Sequence, residues 1–237
     1  MIANTTNFLP AVEIETNPSP IYAIIWLHGL GADGNDFVPI VNELELLTEK
    51  PIRFVFPHAP ERPVSINNGY ILRAWYDIFS SDFSYHQDEL GIRGSQVAIT
   101  ALIEREMQRG ILAKNIFLAG FSQGGALALH VGLRHPLPLG GVVALSCYLP
   151  LAETFAAEAS VMNAAIPIFM AHGNSDRVIP IANAIASKEK LCAANYRIEW
   201  HEYPMAHSVC GEEVVDISNW LQRVMNDGYQ DADQSQV

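Results

Sequence analysis

The sequence predicts an α/β fold in which a mostly parallel central sheet carries helices on both faces. Short apolar runs such as 21–27 and 52–56 are typical of strands buried on both sides. Segments with helical periodicity separate these runs along the chain. Parallel strands need a crossover connection, usually a helix, so this alternation of strand and helix favours a parallel sheet.

Each element follows from the pattern of its own segment. The apolar or alternating runs predict strands over 21–27, 52–56, 115–119, 141–145, 166–171 and 197–203. Apolar residues at helical spacing predict helices over 35–47, 95–109, 123–134, 180–194 and 212–225.

Capping and turn-forming residues set several of the predicted helix and loop boundaries. We expect Ser95 to cap its helix and Gly110 to end it. Proline, asparagine and glycine in residues 57–91 indicate a long loop layer.

The two ends of the chain are the least regular parts of the sequence. We predict an irregular segment over residues 1–20, with a short strand there as an alternative. Residues 226–237 are polar and are expected to be disordered. The sequence shows neither an internal repeat nor a linker, so we expect one domain over residues 1–237.

The charge balance argues against two classes of partner. The chain has 14 basic and 26 acidic residues and a net charge of −12, whereas nucleic acids and anionic membranes select basic patches. We expect neither a membrane-spanning segment nor a signal peptide, since no apolar run is long enough for either. The three cysteines lack metal or redox spacing, and this favours free thiols in the cytoplasm.

Residues 120–125 read Gly-Phe-Ser-Gln-Gly-Gly, between the predicted strand 115–119 and the predicted helix 123–134. In this context G-x-S-x-G is a nucleophile elbow, a sharp turn that presents a serine hydroxyl at the edge of the sheet. Gly120 and Gly124 would leave room where side chains collide across the turn. We therefore predict Ser122 as a nucleophile, and the alternative is a serine that only caps the following helix.

A serine hydroxyl needs a base, and histidine usually supplies it because its pKa lies near working pH. On this kind of fold the chain order is Ser, then Asp or Glu, then His. Of eight histidines, only His201 and His207 come late enough. His201 lies inside the predicted strand 197–203, whereas His207 lies in the loop after it, so we predict His207.

The third group is a carboxylate that orients the histidine. Asp176 lies just past the predicted strand 166–171, between Ser122 and His207 in chain order, and is our candidate. An aspartate that caps the helix near residue 180 is the alternative. Glu202 and Asp216 are poorer candidates because they lie within a predicted strand and a predicted helix.

Acyl transfer also needs donors for an oxyanion. The backbone N–H of Gln123 is one candidate by geometry, and the glycine-rich loop 27–34 offers the N–H of Leu30 as the other. We expect His28 to fix this loop by hydrogen bonding. The loop lacks both G-x-G-x-x-G and a Walker lysine, so a phosphate cradle is disfavoured. Asp176 and His207 lack further metal-ligating partners, so we expect neither a metal nor another cofactor.

Eight segments in order resemble the carboxylesterase/acyl-protein thioesterase family, the phospholipase/carboxylesterase branch of the α/β-hydrolases. They are IIWLHGLGADGNDF at 24–37, FPHAP at 56–60, RAWYDI at 73–78, DELGI at 88–92, LAGFSQGGALAL at 118–129, LSCYLP at 145–150, MAHGNSDRVIP at 170–180 and YPMAHSVCGEE at 203–213. The resemblance implies an α/β-hydrolase fold, the triad Ser122, Asp176 and His207, and an oxyanion hole from Leu30 and Gln123. It also implies a cofactor-free cytoplasmic hydrolase without a large lid, with a homodimer as a possible assembly.

Apolar loops are expected around the predicted nucleophile. In this family the block that contains Trp75 lines the substrate groove, and a core or loop anchor is the alternative role for Trp75. Apolar walls favour an acyl chain as the substrate group, and those singled out are Trp75, Ile78, Phe79, Tyr148, Leu149, Leu151, Val178 and Ile179.

These observations predict a serine carboxylesterase that hydrolyses soluble esters of short to medium acyl chain through an acyl-enzyme. The alternatives with the same triad are an acyl-protein thioesterase or a lysophospholipase, which differ in the leaving group. A non-catalytic binding protein on the same fold is a distant alternative. A serine peptidase is disfavoured, because no propeller or cap domain is present to select peptides.

Overall fold

A seven-stranded sheet organises the protein, whose computed structural model describes residues 8–46, 50–80 and 86–233. The strands are β1 Ala11–Glu15, β2 Tyr22–Leu27, β3 Ile52–Pro57, β4 Glu61–Val64, β5 Tyr70–Arg73, β6 Ile116–Phe121, β7 Gly141–Leu145, β8 Ile168–Gly173 and β9 Ile198–Tyr203. The order in this sheet is β1-β3-β2-β6-β7-β8-β9, and every neighbouring pair is parallel except β1 with β3. This confirms the predicted mostly parallel sheet.

Helices cover both faces of the sheet, as predicted. The helices are α1 Ile40–Glu43, α2 Glu89–Gln108, α3 Gln123–Arg134, α4 Phe155–Glu158, α5 Ile181–Ala193 and α6 Gly211–Asp233. Alternate residues of β2 enter opposite cores: Ile25 belongs to the core that includes residues of α2, α3 and α5, and Trp26 belongs to the core that includes residues of α1 and α6. The central strands are apolar at every position because both of their faces are buried.

The predicted helix over 35–47 is wrong in extent, since α1 is a single turn. Pro39 immediately precedes α1, and proline cannot donate to a preceding helical turn. Glu45 has a φ of 42°, which takes the chain out of the helical region. The predicted end at Leu47 lies outside the described residues.

Helix α2 begins earlier than predicted. Its N-cap is Asp88, whose side chain accepts a hydrogen bond from the backbone N–H of Gly91. Ser95 therefore lies inside the helix, where its hydroxyl donates to the carbonyl oxygen of Trp75. Gly110 follows the end of the helix with a φ of 97°, a left-handed conformation that glycine adopts readily.

Two other segments differ from the prediction, and the N-terminal segment follows its alternative of a short strand. The loop layer 57–91 contains the antiparallel pair β4–β5, and its residues 81–85 lie outside the described chain. The N-terminal segment contributes β1, which pairs along its whole length with β3. The expected disordered tail is wrong for residues 226–233, because α6 continues to Asp233 and no proline interrupts it.

Candidate active site

Three side chains meet at the carboxyl edge of the sheet. Ser122 directly follows β6, Asp176 follows β8, and His207 follows β9. Because these strands are parallel, their carboxyl ends lie along the same edge, so residues distant in sequence become neighbours.

Ser122 sits on a strained turn between β6 and α3. Its backbone has φ 57° and ψ −123°, a conformation that is costly for a residue with a side chain. A Cβ on Gly120 would lie 2.4 Å from the carbonyl carbon of Gly124. A Cβ on Gly124 would lie 2.2 Å from the carbonyl oxygen of Leu27. The two glycines therefore let the strand, the turn and the helix approach closely enough to present the serine.

Hydrogen bonds connect the three side chains in series. Nδ1 of His207 lies 2.6 Å from Oδ2 of Asp176, and Nε2 of His207 lies 2.9 Å from Oγ of Ser122. A carboxylate only accepts, so Nδ1–H donates to Asp176 and Nε2 is left as an acceptor facing the serine hydroxyl. In this tautomer the imidazole can take the serine proton.

Backbone amides fix the carboxylate of Asp176. Its Oδ1 accepts hydrogen bonds from Val178 N–H at 2.8 Å and Ile179 N–H at 3.0 Å, and its side chain is fully buried. His172 also borders it, with Nε2 at 3.4 Å from Oδ2, and that nitrogen donates to the carbonyl oxygen of Ile179. Burial lowers the pKa of His172 below its usual value, so this second imidazole stays neutral beside the carboxylate.

The two residues predicted to supply oxyanion donors border the same space as Ser122. Leu30 and Gln123 both line the cleft. No backbone carbonyl within the described chain accepts from the N–H of either residue. Two free amides beside a nucleophile are what an oxyanion requires.

A buried hydrogen-bond network holds the loop that carries Leu30. His28 accepts from Ala59 N–H through Nε2 at 3.0 Å, so its Nδ1–H donates to the Gly29 carbonyl at 2.7 Å. Burial lowers the pKa of His28, which keeps this neutral tautomer. The Trp75 indole donates to the His28 carbonyl at 2.9 Å. His28 thus has the loop-fixing contacts expected of it.

Trp75 does not line the cleft, which corrects its predicted place in the substrate groove. Its side chain is fully buried, and its backbone N–H donates to Oε1 of Gln123 at 2.9 Å. Nε2 of Gln123 donates to the carbonyl of Tyr76 at 2.7 Å. Trp75 therefore anchors the elbow through its backbone N–H and the loop at Leu30 through its indole, which was the alternative role.

The cleft at Ser122 has a volume of about 240 Å³. Val178 lines it as predicted, whereas Leu149 instead borders a neighbouring cavity. Phe79 and Leu151 also fall outside the described cleft wall. The lining residues are Gly29, Leu30, Ala32, Asp36, Tyr76, Ile78, Phe121, Ser122, Gln123, Tyr148, Val178, Ile179 and His207.

Sequence reasoning missed two aromatic residues of the site. Phe121, the residue between Gly120 and the serine, packs its ring on His207 with centroids 4.7 Å apart. Tyr76 lines the cleft beside the buried Trp75. Their positions next to predicted site residues were the available signal, but a side chain's direction in a loop follows from contacts distant in sequence.

His201, the alternative base, lies elsewhere. Its ring stacks on Phe169 with centroids 4.9 Å apart, and its nitrogens face Glu199 and Asp216 at 3.2 and 3.4 Å. Within residues 8–46, 50–80 and 86–233, no group of three or more histidine, cysteine, aspartate or glutamate side chains could hold a metal ion. The same residues include no helix that is long and apolar enough to span a membrane.

Comparisons with known proteins cover nearly the whole chain. Residues 10–225 match the family described as Phospholipase/Carboxylesterase. Acyl-protein thioesterase 1 of Yarrowia lipolytica is 34% identical over 218 residues, which are 90% of this chain and 96% of that protein. Acyl-protein thioesterase 1 of Neurospora crassa is 38% identical over 209 residues, 84% of each chain.

Solved structures of similar proteins also match most of this chain. The crystal structure of Arabidopsis thaliana SOBER1 matches with a TM-score of 0.82 and 30% identity, over 86% of this chain and 99% of that one. Zea mays acyl-protein thioesterase 2 matches with a TM-score of 0.79 and 26% identity, over 91% and 99% of the two chains.

Proposed function

The chain belongs to the phospholipase/carboxylesterase family of α/β-hydrolases, and from this premise we propose that it is a serine hydrolase that releases acyl groups from protein thioesters. The observation that carries the proposal is the series of hydrogen bonds from Asp176 through His207 to Ser122, at 2.6 and 2.9 Å. We assign these three residues the roles of orienting acid, base and nucleophile.

The proposed reaction has two steps of the same kind. Ser122 Oγ attacks the acyl carbonyl while Nε2 of His207 takes the hydroxyl proton. The backbone amides of Leu30 and Gln123 hold the oxyanion. His207 then protonates the leaving thiol, and a water molecule, deprotonated by His207, releases the acyl group from Ser122.

The choice of leaving group rests on the relatives, and the cleft bears on the acyl group. Two fungal relatives named as acyl-protein thioesterase 1 are 34% and 38% identical to this chain, so the thioesterase alternative is better supported than the carboxylesterase that we predicted first. A cleft of about 240 Å³ is below the usual range of about 300–1,000 Å³ for small-molecule pockets. It suits part of an acyl chain, whichever leaving group that chain is attached to.

The test is a matched pair of peptides that carry the same octanoyl group on cysteine or on serine. We expect Ser122-dependent hydrolysis of both and a higher kcat/KM for the thioester, with Ser122→Ala as the background. Turnover of the oxygen ester and of p-nitrophenyl octanoate, without Ser122-dependent turnover of the thioester, would assign the chain as a carboxylesterase instead. A preference for lysophospholipids over both peptides would assign a lysophospholipase.

Three further expectations stay proposals. We propose one domain, a cytoplasmic location and a homodimer as the possible assembly. Light scattering coupled to size exclusion tests the assembly, and a mass near 26.1 kDa at micromolar concentration would contradict the dimer.

A further inference from the structure

A second cavity lies directly beside the catalytic cleft. Its volume is about 470 Å³, roughly twice that of the cleft. The loop after β7 and one side of α5 form most of its wall. Tyr148 is the one described residue that lines both spaces, so it lies at the boundary between them.

A hydrogen bond holds the side chain of Tyr148 in this position. Its hydroxyl oxygen lies 3.0 Å from that of Tyr76, which lines the cleft, and both side chains are buried. Burial raises the pKa of Tyr148 to about 12, so its hydroxyl stays protonated throughout the working range. The hydrogen bond is therefore available at any pH at which the enzyme would be assayed.

The backbone next to Tyr148 is also fixed. Leu149 N–H donates to Oγ of Ser187 on α5 at 2.9 Å, and that hydroxyl donates to the carbonyl of Asn183 at 2.7 Å. The wall between the two spaces is thus attached to the cleft through Tyr76 and to α5 through Leu149.

The second cavity has both apolar and polar walls, and its polar residues are Gln87, Glu89, Glu153, Thr154, Asn183, Ser187 and Lys190. Leu149, Leu151 and Ala152 provide apolar surface, and Leu149 is almost completely buried. Charged residues lie at its outer side, where Lys190 and Glu153 form an exposed ion pair at 2.8 Å. A hydrocarbon chain gains free energy on such apolar walls, while the charged rim stays in water.

We propose that Tyr148 sets the limit on acyl-chain length by closing the catalytic cleft against the second cavity, which accepts the distal methylenes of a longer chain when this side chain is removed. The inference rests on the proposed function, because it requires an acyl group on Ser122. It also gives Leu149 a role in substrate selection, although Leu149 does not line the catalytic cleft.

The decisive variant is Tyr148→Ala, which joins the two spaces. Each methylene buried against an apolar wall changes affinity by about fourfold. We therefore expect the ratio of kcat/KM for p-nitrophenyl dodecanoate over butanoate to rise by about tenfold or more relative to the wild type. Tyr148→Phe keeps the ring but loses the hydrogen bond to Tyr76, so its ratio should rise much less than that of Tyr148→Ala.

A substitution that fills the second cavity tests whether the acyl chain enters it. Ala152→Phe occupies the second cavity, so it should remove the gain when combined with Tyr148→Ala and leave the ratio unchanged on its own. If Tyr148→Ala does not fold by circular dichroism, Tyr148→Leu should raise the ratio in the same direction by a smaller factor.

Two results would overturn the proposal: an unchanged ratio in a folded, active Tyr148→Ala or Tyr148→Leu variant, or a gain that survives Ala152→Phe. Failure of the proposed function is a separate result. It would appear as hydrolysis that does not depend on Ser122, or as an enzyme without thioester turnover, whereas the chain-length ratio is measured on oxygen esters.

Discussion

The substitution Asp176→Asn tests the orientation of the proposed base, and the structure fixes how the new amide would sit. Oδ1 of Asp176 accepts from the N–H groups of Val178 and Ile179 at 2.8 and 3.0 Å. An asparagine must keep its carbonyl oxygen at that position, because its NH₂ group cannot accept hydrogen bonds. The NH₂ group then points at Nδ1 of His207, which lies 2.6 Å from Oδ2 in the native side chain.

This arrangement reverses the tautomer of His207. With an NH₂ donor opposite it, Nδ1 becomes the acceptor and Nε2 carries the proton, so Nε2 can no longer take the proton of Ser122. The corresponding change in a serine protease leaves the geometry intact and lowers kcat by about 10⁴. We expect a loss of this order here, equivalent to about 5.4 kcal/mol in the activation free energy.

The assay measures kcat on p-nitrophenyl butanoate and, separately, the rate at which an organophosphonate labels Ser122. Both should fall together in Asp176→Asn, while the circular dichroism spectrum is retained. Asp216→Asn is the matched control, because Asp216 was the rejected acid candidate and bonds instead to the Tyr203 hydroxyl at 2.7 Å. If Asp176→Asn kept kcat within about tenfold of the wild type, the assignment of Asp176 as the orienting acid would be refuted.

Three further predictions follow from the same geometry and from one buried acid. His207→Ala should abolish ester hydrolysis and His201→Ala should keep most of it; the reverse pattern in kcat/KM would exchange their roles. Ester hydrolysis should be indifferent to EDTA, and loss on chelation followed by recovery with a divalent ion would contradict a mechanism based on a side-chain nucleophile. Burial raises the pKa of Glu213 from 4.5 to about 8, and the backbone of Cys210 offsets only part of this effect. The folded state therefore holds this proton more tightly than the unfolded state, so the contribution to stability is complete below pH 4.5 and is lost as the pH rises towards 8, by up to about 5 kcal/mol. Glu213→Gln should flatten urea-derived stability across this window, and an unchanged pH slope would show that Glu213 is not the cause.

The sheet could be predicted because its central strands are apolar at every position. Strand β2 is buried on both faces, so its apolar run is unbroken. The short α1 and the early start of α2 escaped prediction. The first depends on the break at Pro39, and the second on an Asp88 cap inside a segment rich in loop residues.

The meeting of Ser122, Asp176 and His207 could be anticipated because parallel topology brings strand ends together. The roles of Trp75 and Leu149 could not. Trp75 turns inward because its indole finds the carbonyl of His28, which lies far away in sequence. Leu149 turns towards α5, so its neighbour Tyr148 is the residue that reaches the cleft.

The most direct test of the account is to locate the covalent bond to the enzyme. The protein is treated with an organophosphonate, its intact mass is measured, and the modified peptide is sequenced by mass spectrometry. We predict one adduct, on Ser122, and complete loss of labelling in Ser122→Ala together with a fall in kcat of about 10⁴–10⁶ on both oxygen esters and thioesters. An adduct on another residue, or a Ser122→Ala variant that keeps most of its hydrolytic activity, would contradict the account.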